Sequence, residues 1–360
     1  MWRSESSPQG PAKQSRHTRE GGCPRTPGRT AWLVDARLRG RDGLFFKGRV
    51  FVAAMALLLY AHAAQAASAL AFITNQGSHD VSVVDIAQRR VVATVPVGRS
   101  PAGVAVAGDR VFITNPDSRE LAVIEPGSAR LLGTRPAGEQ PLGIAAAPDG
   151  RHVWVADWQG QRLIGFDTRS LERVGEIALG RTPSGVAVSA DGQAAYVAER
   201  DDDVVAVVDL PARRVKARVA VGKHPFALLL DEPRGRLLAL NVQGDDMSVV
   251  DLAALREIKR VPLGRAPYGA ALSADGTRLF VTNQHEDTVS VLDAQSYELR
   301  RRLEGFGHPE GVAVQGEELL VVNWMDDELS VLDVASGKER ARIRIGTNPR
   351  GFGAFVATVP

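Results

Sequence analysis

One pattern of residues recurs seven times along this chain. The residue that closes each run of the type Val-Ser-Val-Val-Asp is Asp85, Glu125, Asp167, Asp209, Asp251, Asp293 and Asp333, at steps of 40 or 42 residues. A period of this length marks units that cannot bury their apolar faces alone and must be arrayed in a solenoid or a ring. The length of 360 residues would otherwise suggest two domains. A repeat array is one cooperative body, so the period overrides that prior.

Each unit holds four apolar runs of period 2, bounded by turn residues. In the sixth unit Gly269–Ser273 is a strand of small residues, Asp275-Gly276 a tight turn, Arg278–Thr282 a second strand and Asn283–Asp287 a loop. Thr288–Asp293 is the third strand and Tyr297–Leu303 a charged fourth one, before Gly305–Gly311 leads onward. Small first strands such as Val104-Ala105-Val106 suit a crowded axis; charged fourth strands such as Arg213–Val219 suit a solvated rim and guard it against stray pairing. The array begins on a second strand at Leu70 and ends on a first strand at Gly351–Ala357. A closed ring accounts for both ends, because the last strand completes the blade that the N-terminus began. The sequence therefore predicts an all-β, seven-bladed β-propeller closed by pairing the C-terminal strand with the N-terminal blade.

The residues at 72–75 and 112–115, Phe-Ile-Thr-Asn, and at 280–283, Phe-Val-Thr-Asn, resemble the YVTN β-propeller repeat, as do the Val-Ser-Val-Val-Asp runs and the Gly-x-x-Pro-x-Gly connections. The resemblance spans about residues 70–357 and implies an exported propeller, similar in fold to haem-d1 and amine-dehydrogenase propellers; it does not imply a ligand. Asn75, Asn115, Asn241, Asn283 and Asn323 keep the motif's Asn, whereas Asp157 and Glu199 replace it. The Asn is expected to cap its own loop through side-chain-to-backbone bonds.

Residues 1–43 are rich in Arg, Gly, Pro and Ser without apolar period, and read as a disordered or wrongly started extension. Residues 44–66 read as a secretory signal: Lys47 and Arg49, an apolar run from Val50 to Ala61, then Ala64-Gln65-Ala66. That run is too short for a transmembrane anchor. The propeller is then 67–360, placed in the periplasm or outside the cell. The whole chain has 44 Lys/Arg and 42 Asp/Glu, of which 11 and 4 precede Ala67, so the repeat region is mildly acidic. Bulk charge gives no support to a long nucleic-acid footprint. The one cysteine, Cys23, lies in the leader, which leaves the repeats without disulfide, thiolate site or covalent haem attachment.

Chemistry on a repeat scaffold sits where the units differ. The connections vary most beside their Pro, at Arg99, Arg181, Lys223, His224, Phe226, Arg265, Tyr268, His308, Glu310 and Arg350. Arg99, Arg181, Lys223, Arg265 and Arg350 would make a local positive funnel at the axial mouth; the plainer alternative is long side chains solvated on loops. His224 and His308 occupy equivalent slots and would serve as ligands to a metal or haem iron only with further partners, against simple loop variation. Trp158 and Trp324 offer stacking surfaces, or pack blade against blade. The acidic runs at 201–203, 245–246 and 326–328 lack the calcium-loop pattern and read as solvated turns. No nucleophile elbow, phosphate loop, zinc-protease or dinucleotide signature occurs. The expectation is an exported, monomeric, non-enzymatic binding or scaffold protein without cofactor, taking an anionic small ligand or protein partner at the mouth. The alternatives are an accessory propeller of a periplasmic oxidoreductase system, with haem as the possible cofactor, and a hydrolase or lyase with a metal at the mouth.

Overall fold

The computed structural model describes residues 68–359; the leader and signal readings, on residues 1–66, lie outside them. Seven antiparallel sheets follow one another around an axis, each with its first strand innermost. Blade two is Gly103–Ala107, Arg110–Asn115, Glu120–Glu125 and Arg130–Pro136; blade four is Pro183–Val188, Ala194–Glu199, Val204–Asp209 and Arg214–Ala220. Blades three, five, six and seven repeat this order from Pro141, Pro225, Pro267 and Pro309. The burial follows from the alternation in the sequence. Second and third strands are sandwiched between neighbouring blades and are buried almost throughout, as in Arg278–Asn283 and Thr288–Asp293. Fourth strands such as Leu299–Glu304 are mostly exposed, and first strands are half-buried because they line the axis. No helix among the described residues is long and apolar enough to cross a membrane.

Blade one has Ser68–Asn75, Asp80–Asp85 and Arg90–Pro96 from the N-terminus, and its innermost strand is Val356–Val359, antiparallel to Ser68–Ala71. The ring is thus closed by the two chain ends. The closing segment differs in detail from the expected Gly351–Ala357. In blades three to seven the connection's Pro pairs with the end of the second strand and the first strand resumes after a short bulge, as in Pro183↔Glu199 then Val186↔Val197. Blade one makes the same start, Pro349↔Asn75, but resumes only at Val356↔Ala71. The intervening Phe352-Gly353 swings out and pairs in parallel with Gly103-Val104 of blade two. Gly353 has φ +106°, and a Cβ there would stand 2.4 Å from the Val104 carbonyl oxygen, so the excursion depends on glycine.

Candidate functional site

The axial mouth is built from two sets of loops, those between second and third strands and the Gly-x-x-Pro connections. The first residue of the former, at 76, 116, 158, 200, 242, 284 and 324, rings the opening. Except at Pro116, which has no N–H, this residue donates to the carbonyl just before the connection's Pro: Gln76 to Asn348, Trp158 to Gln140, Arg200 to Thr182, Val242 to His224, Gln284 to Ala266 and Trp324 to His308. Four residues past the Thr-Asn site, His79, Arg119, Gln161, Asp203, Asp245, Asp287 and Asp327 all take positive φ. The carboxylates among them accept the N–H of His224, Ala266, His308 and Asn348 at 2.8–2.9 Å. The acidic runs are therefore turn residues that also bridge: each ties one loop of the mouth to the next.

The Asn of the motif is structural, but not as a cap on its own loop. Asn75, Asn241, Asn283 and Asn323 are wholly buried, and each donates from Nδ2 to a serine hydroxyl on the third strand, Ser82, Ser248, Ser290 and Ser330, at 2.8–2.9 Å. Side chain meets side chain across the sheet because the site faces inward on a strand rather than outward on a turn. The first glycine of the connection lies against this amide: a Cβ on Gly222 would come within 2.3 Å of Asn241 Nδ2. In blades three and four the acids take the place and the serine is absent. Asp157 accepts from the N–H groups of Glu139, Gln140 and Gly160 and from Arg162 Nε; Glu199 accepts from the Gly180 N–H and from Arg218.

The proposed cationic ring is held largely in local contacts. Arg181 pairs with Asp202 at 2.6 Å and Lys223 with Asp203 at 2.5 Å, both well exposed. Arg99 and Arg265 donate to the carbonyls of Asp117 and His285. The Asp202 bond and charge hold the Arg181 guanidinium above its usual pKa. These contacts shorten the field that the five cations would otherwise project. His308 stacks on His285 and Trp324, with ring centroids 5.3 and 5.5 Å apart; burial and the neighbouring His285 push its pKa down. His224 Nε2 lies 4.0 Å from Asp201, and its Nδ1 is buried without a partner. Among the described residues no group of three or more His, Cys, Asp or Glu is placed to hold a metal.

Inside the ring lies a cup of about 470 Å³. Trp158, Phe226, Tyr268, Glu310 and Arg350 line it, joined by Arg200, Gln140, Leu142 and Gln284. Among the described residues no histidine lines it, so a haem iron would find no imidazole ligand there. The floor is aromatic: Phe226 lies 4.7 Å from Tyr268 and 4.9 Å from Phe352, with Trp158 at 6.4 Å and the Arg200 guanidinium 5.6 Å over the Trp158 ring. Phe352 is the residue that the C-terminal excursion delivers to the axis. Beneath it a second space of about 500 Å³, lined by the first strands, continues toward the opposite face; Tyr268 and Glu310 border both.

One buried pair stands in the cup wall. Glu310, 2% exposed, accepts from Gln284 Nε2 at 2.8 Å through one oxygen and faces Arg350 Nε at 3.4 Å with the other. Among the described residues that second oxygen and Arg350 Nε have no hydrogen-bond partner. Burial raises the pKa of Glu310, against the opposing pull of Arg350 and Gln284; burial likewise raises Tyr268. Of the five predicted cations only Arg350 lines the cup, together with Trp158, Phe226 and Tyr268 among the other predicted residues. Trp324 and His308 form a separate cluster on the ring. Arg200 and Gln284 escape a reading of the sequence although they share a repeat position with Trp158. Phe352 escapes it because only the excursion brings it to the axis.

The fold is shared with solved structures of low sequence identity. Kuenenia stuttgartiensis hydrazine synthase matches with TM-score 0.64 and 18% identity over 72% of this chain and 92% of that one. A functionally unknown protein from Desulfotomaculum acetoxidans DSM 771 matches with TM-score 0.66 and 15% identity, over 81% and 98%. The dihydro-heme d1 dehydrogenase NirN in complex with DHE matches with TM-score 0.62 and 18% identity, over 78% and 74%. No curated protein matches the sequence significantly. Residues 77–342, most of the chain, match the PQQ_2 family, described as outer membrane protein assembly factor BamB, and the chain belongs to that family.

Proposed function

We propose that this protein is an exported propeller of the cell envelope, with YVTN-type repeats, that binds rather than transforms its ligand and does so in the axial cup. The observation that carries this reading is the cup itself: an aromatic floor beneath a buried Glu310–Arg350 pair whose facing polar atoms are unpartnered. Apolar walls with a few convergent polar groups are what a small-ligand site requires. The local pairing of Arg181 and Lys223 favours a compact ligand or a single protruding side chain over an extended polyanion. A family described by an outer-membrane assembly factor agrees with an envelope location and a role in holding partners. On this reading residues 44–66 are removed on export, 67–360 form the working propeller, and the exported form begins at Ala67. N-terminal sequencing that recovered residues 1–43 would refute the processing.

Mass spectrometry of what co-purifies with the protein from native envelopes tests the reading. A compound or peptide held by the parent and lost in Phe226→Ala and Trp158→Ala, but kept in the rim variant Arg301→Ala, supports the cup. Equal retention in all four proteins refutes it. The likeness to hydrazine synthase and NirN favours one alternative, an accessory propeller of an oxidoreductase system. A visible chromophore in the envelope-purified protein would replace the binding reading with that one.

A further inference from the structure

Four of the five cations expected to attract an anion do not line the cup and are tied to nearby carboxylates or carbonyls. Arg350 is the exception. It belongs to the connection that closes the ring, directly before the Gly351-Phe352-Gly353 excursion, and its side chain is 19% exposed in the cup wall. Among the described residues its only charged neighbour within ion-pair distance is Glu310, which meets the Nε edge at 3.4 Å without a hydrogen bond. Glu310 is itself held on its other side by Gln284. The guanidinium is therefore placed by a buried neighbour, while its donors make no hydrogen bond among the described residues. A guanidinium in that state presents two parallel N–H groups, which match the two oxygens of a carboxylate in one plane. Phe226, Tyr268 and Trp158 line the same cup and offer an apolar face to whatever the carboxylate is attached to.

We infer that the ligand of the cup is a monocarboxylate carrying an apolar or aromatic group, its carboxylate set on Arg350 and its apolar part on the Phe226–Tyr268–Trp158 floor. Free organic acids and the C-terminal carboxylate of a peptide share this chemistry. This rests on the cup being the binding site. A phosphate would call for several free cations; among the described residues Arg350 and Arg200 are the cations that line the cup, and Arg200 is already bonded to Asp201 at 2.5 Å.

Calorimetry with N-acetylphenylalanine, N-acetylphenylalanine amide and inorganic phosphate tests the inference on the purified protein. The acid should bind at least tenfold more tightly than the amide, and phosphate should not compete with it. Arg350→Gln should abolish the preference for acid over amide, and Arg350→Lys should restore only part of it, because an ammonium lacks the paired geometry. If Arg350→Gln does not fold, because Glu310 is left buried and unpaired, the double variant Arg350→Gln/Glu310→Gln carries the same comparison. Equal binding of acid and amide, absence of binding by the acid, or tighter binding of phosphate overturns the inference. The cup reading would survive that result if envelope-derived material still depended on Phe226 and Trp158. A C-terminally free peptide ending in Phe, compared with N-acetylphenylalanine, tells the two sources apart: tighter binding of the peptide points to a protein tail.

Discussion

Blades six and four solve one mechanical problem with different chemistry. Blade six locks its second strand to its third through a neutral amide, Asn283 to Ser290, and accepts the Gly264 N–H on the amide oxygen. Blade four places Glu199 at the same spot, takes the Gly180 N–H on its carboxylate and reaches out to Arg218 on the exposed fourth strand. The amide works entirely within the blade core. The acid recruits a cation from the rim, and that cation remains 47% exposed. The repeat therefore places a buried polar side chain under each mouth loop and leaves open how its bonds are satisfied. Blade two has neither solution: Ala122 stands where Ser290 stands, and both amide atoms of Asn115 are buried without a partner among the described residues.

The largest effect is expected at the acid that does most. Asp157→Ala removes the acceptor for three backbone N–H groups and leaves Arg162 with Glu176 as its one remaining carboxylate partner, which should cost about 3 kcal/mol by chemical denaturation. A loss under about 1 kcal/mol would mean that water replaces the carboxylate and that the acid blades are not locked as described. Asn283→Ala leaves the Gly264 N–H unpaired and the Ser290 hydroxyl without its donor, and should cost about 2 kcal/mol. In the opposite direction, Ala122→Ser should stabilise the protein by about 1 kcal/mol by giving Asn115 the partner that its counterparts have. A neutral or negative result there would show that the serine bond contributes little elsewhere too. The smallest effect concerns pH. Bonds from the Ser336 hydroxyl and N–H, with Arg340, hold Asp333 down to about 2. A carboxylate depressed in the folded state contributes stability above its unfolded pKa and loses it as pH falls through the folded one. The melting temperature of Asp333→Asn should therefore lie below the parent at pH 6 and converge with it as pH approaches 2.

Much of this architecture is legible in the sequence because it depends on periodicity. Strand alternation, the 42-residue step and the mismatched ends are written in single residues, and together they specify seven blades and the closure. The mouth is legible only as a set of positions. Arg181 and Asp202 lie 21 residues apart, so their pairing is decided by how one loop overhangs the next, which no local pattern encodes. The same holds for Arg350 and Glu310, which come from consecutive connections and meet only across the ring's closure. The motif's Asn misleads for a related reason: a turn and a strand end look alike in sequence, and burial alone separates an Asx cap from a cross-strand bond.

Residues 350–359 hold three things at once: Arg350 in the cup wall, Phe352 at the axis and Val356–Val359 as the innermost strand of blade one. A chain without these residues has none of them: blade one has an open inner edge, the axis lacks Phe352 and the cup wall lacks Arg350. Closure of the ring and completion of the cup thus become a single event. A copy lacking this segment would not be the same fold with one part missing; it would be an open array that exposes a strand edge.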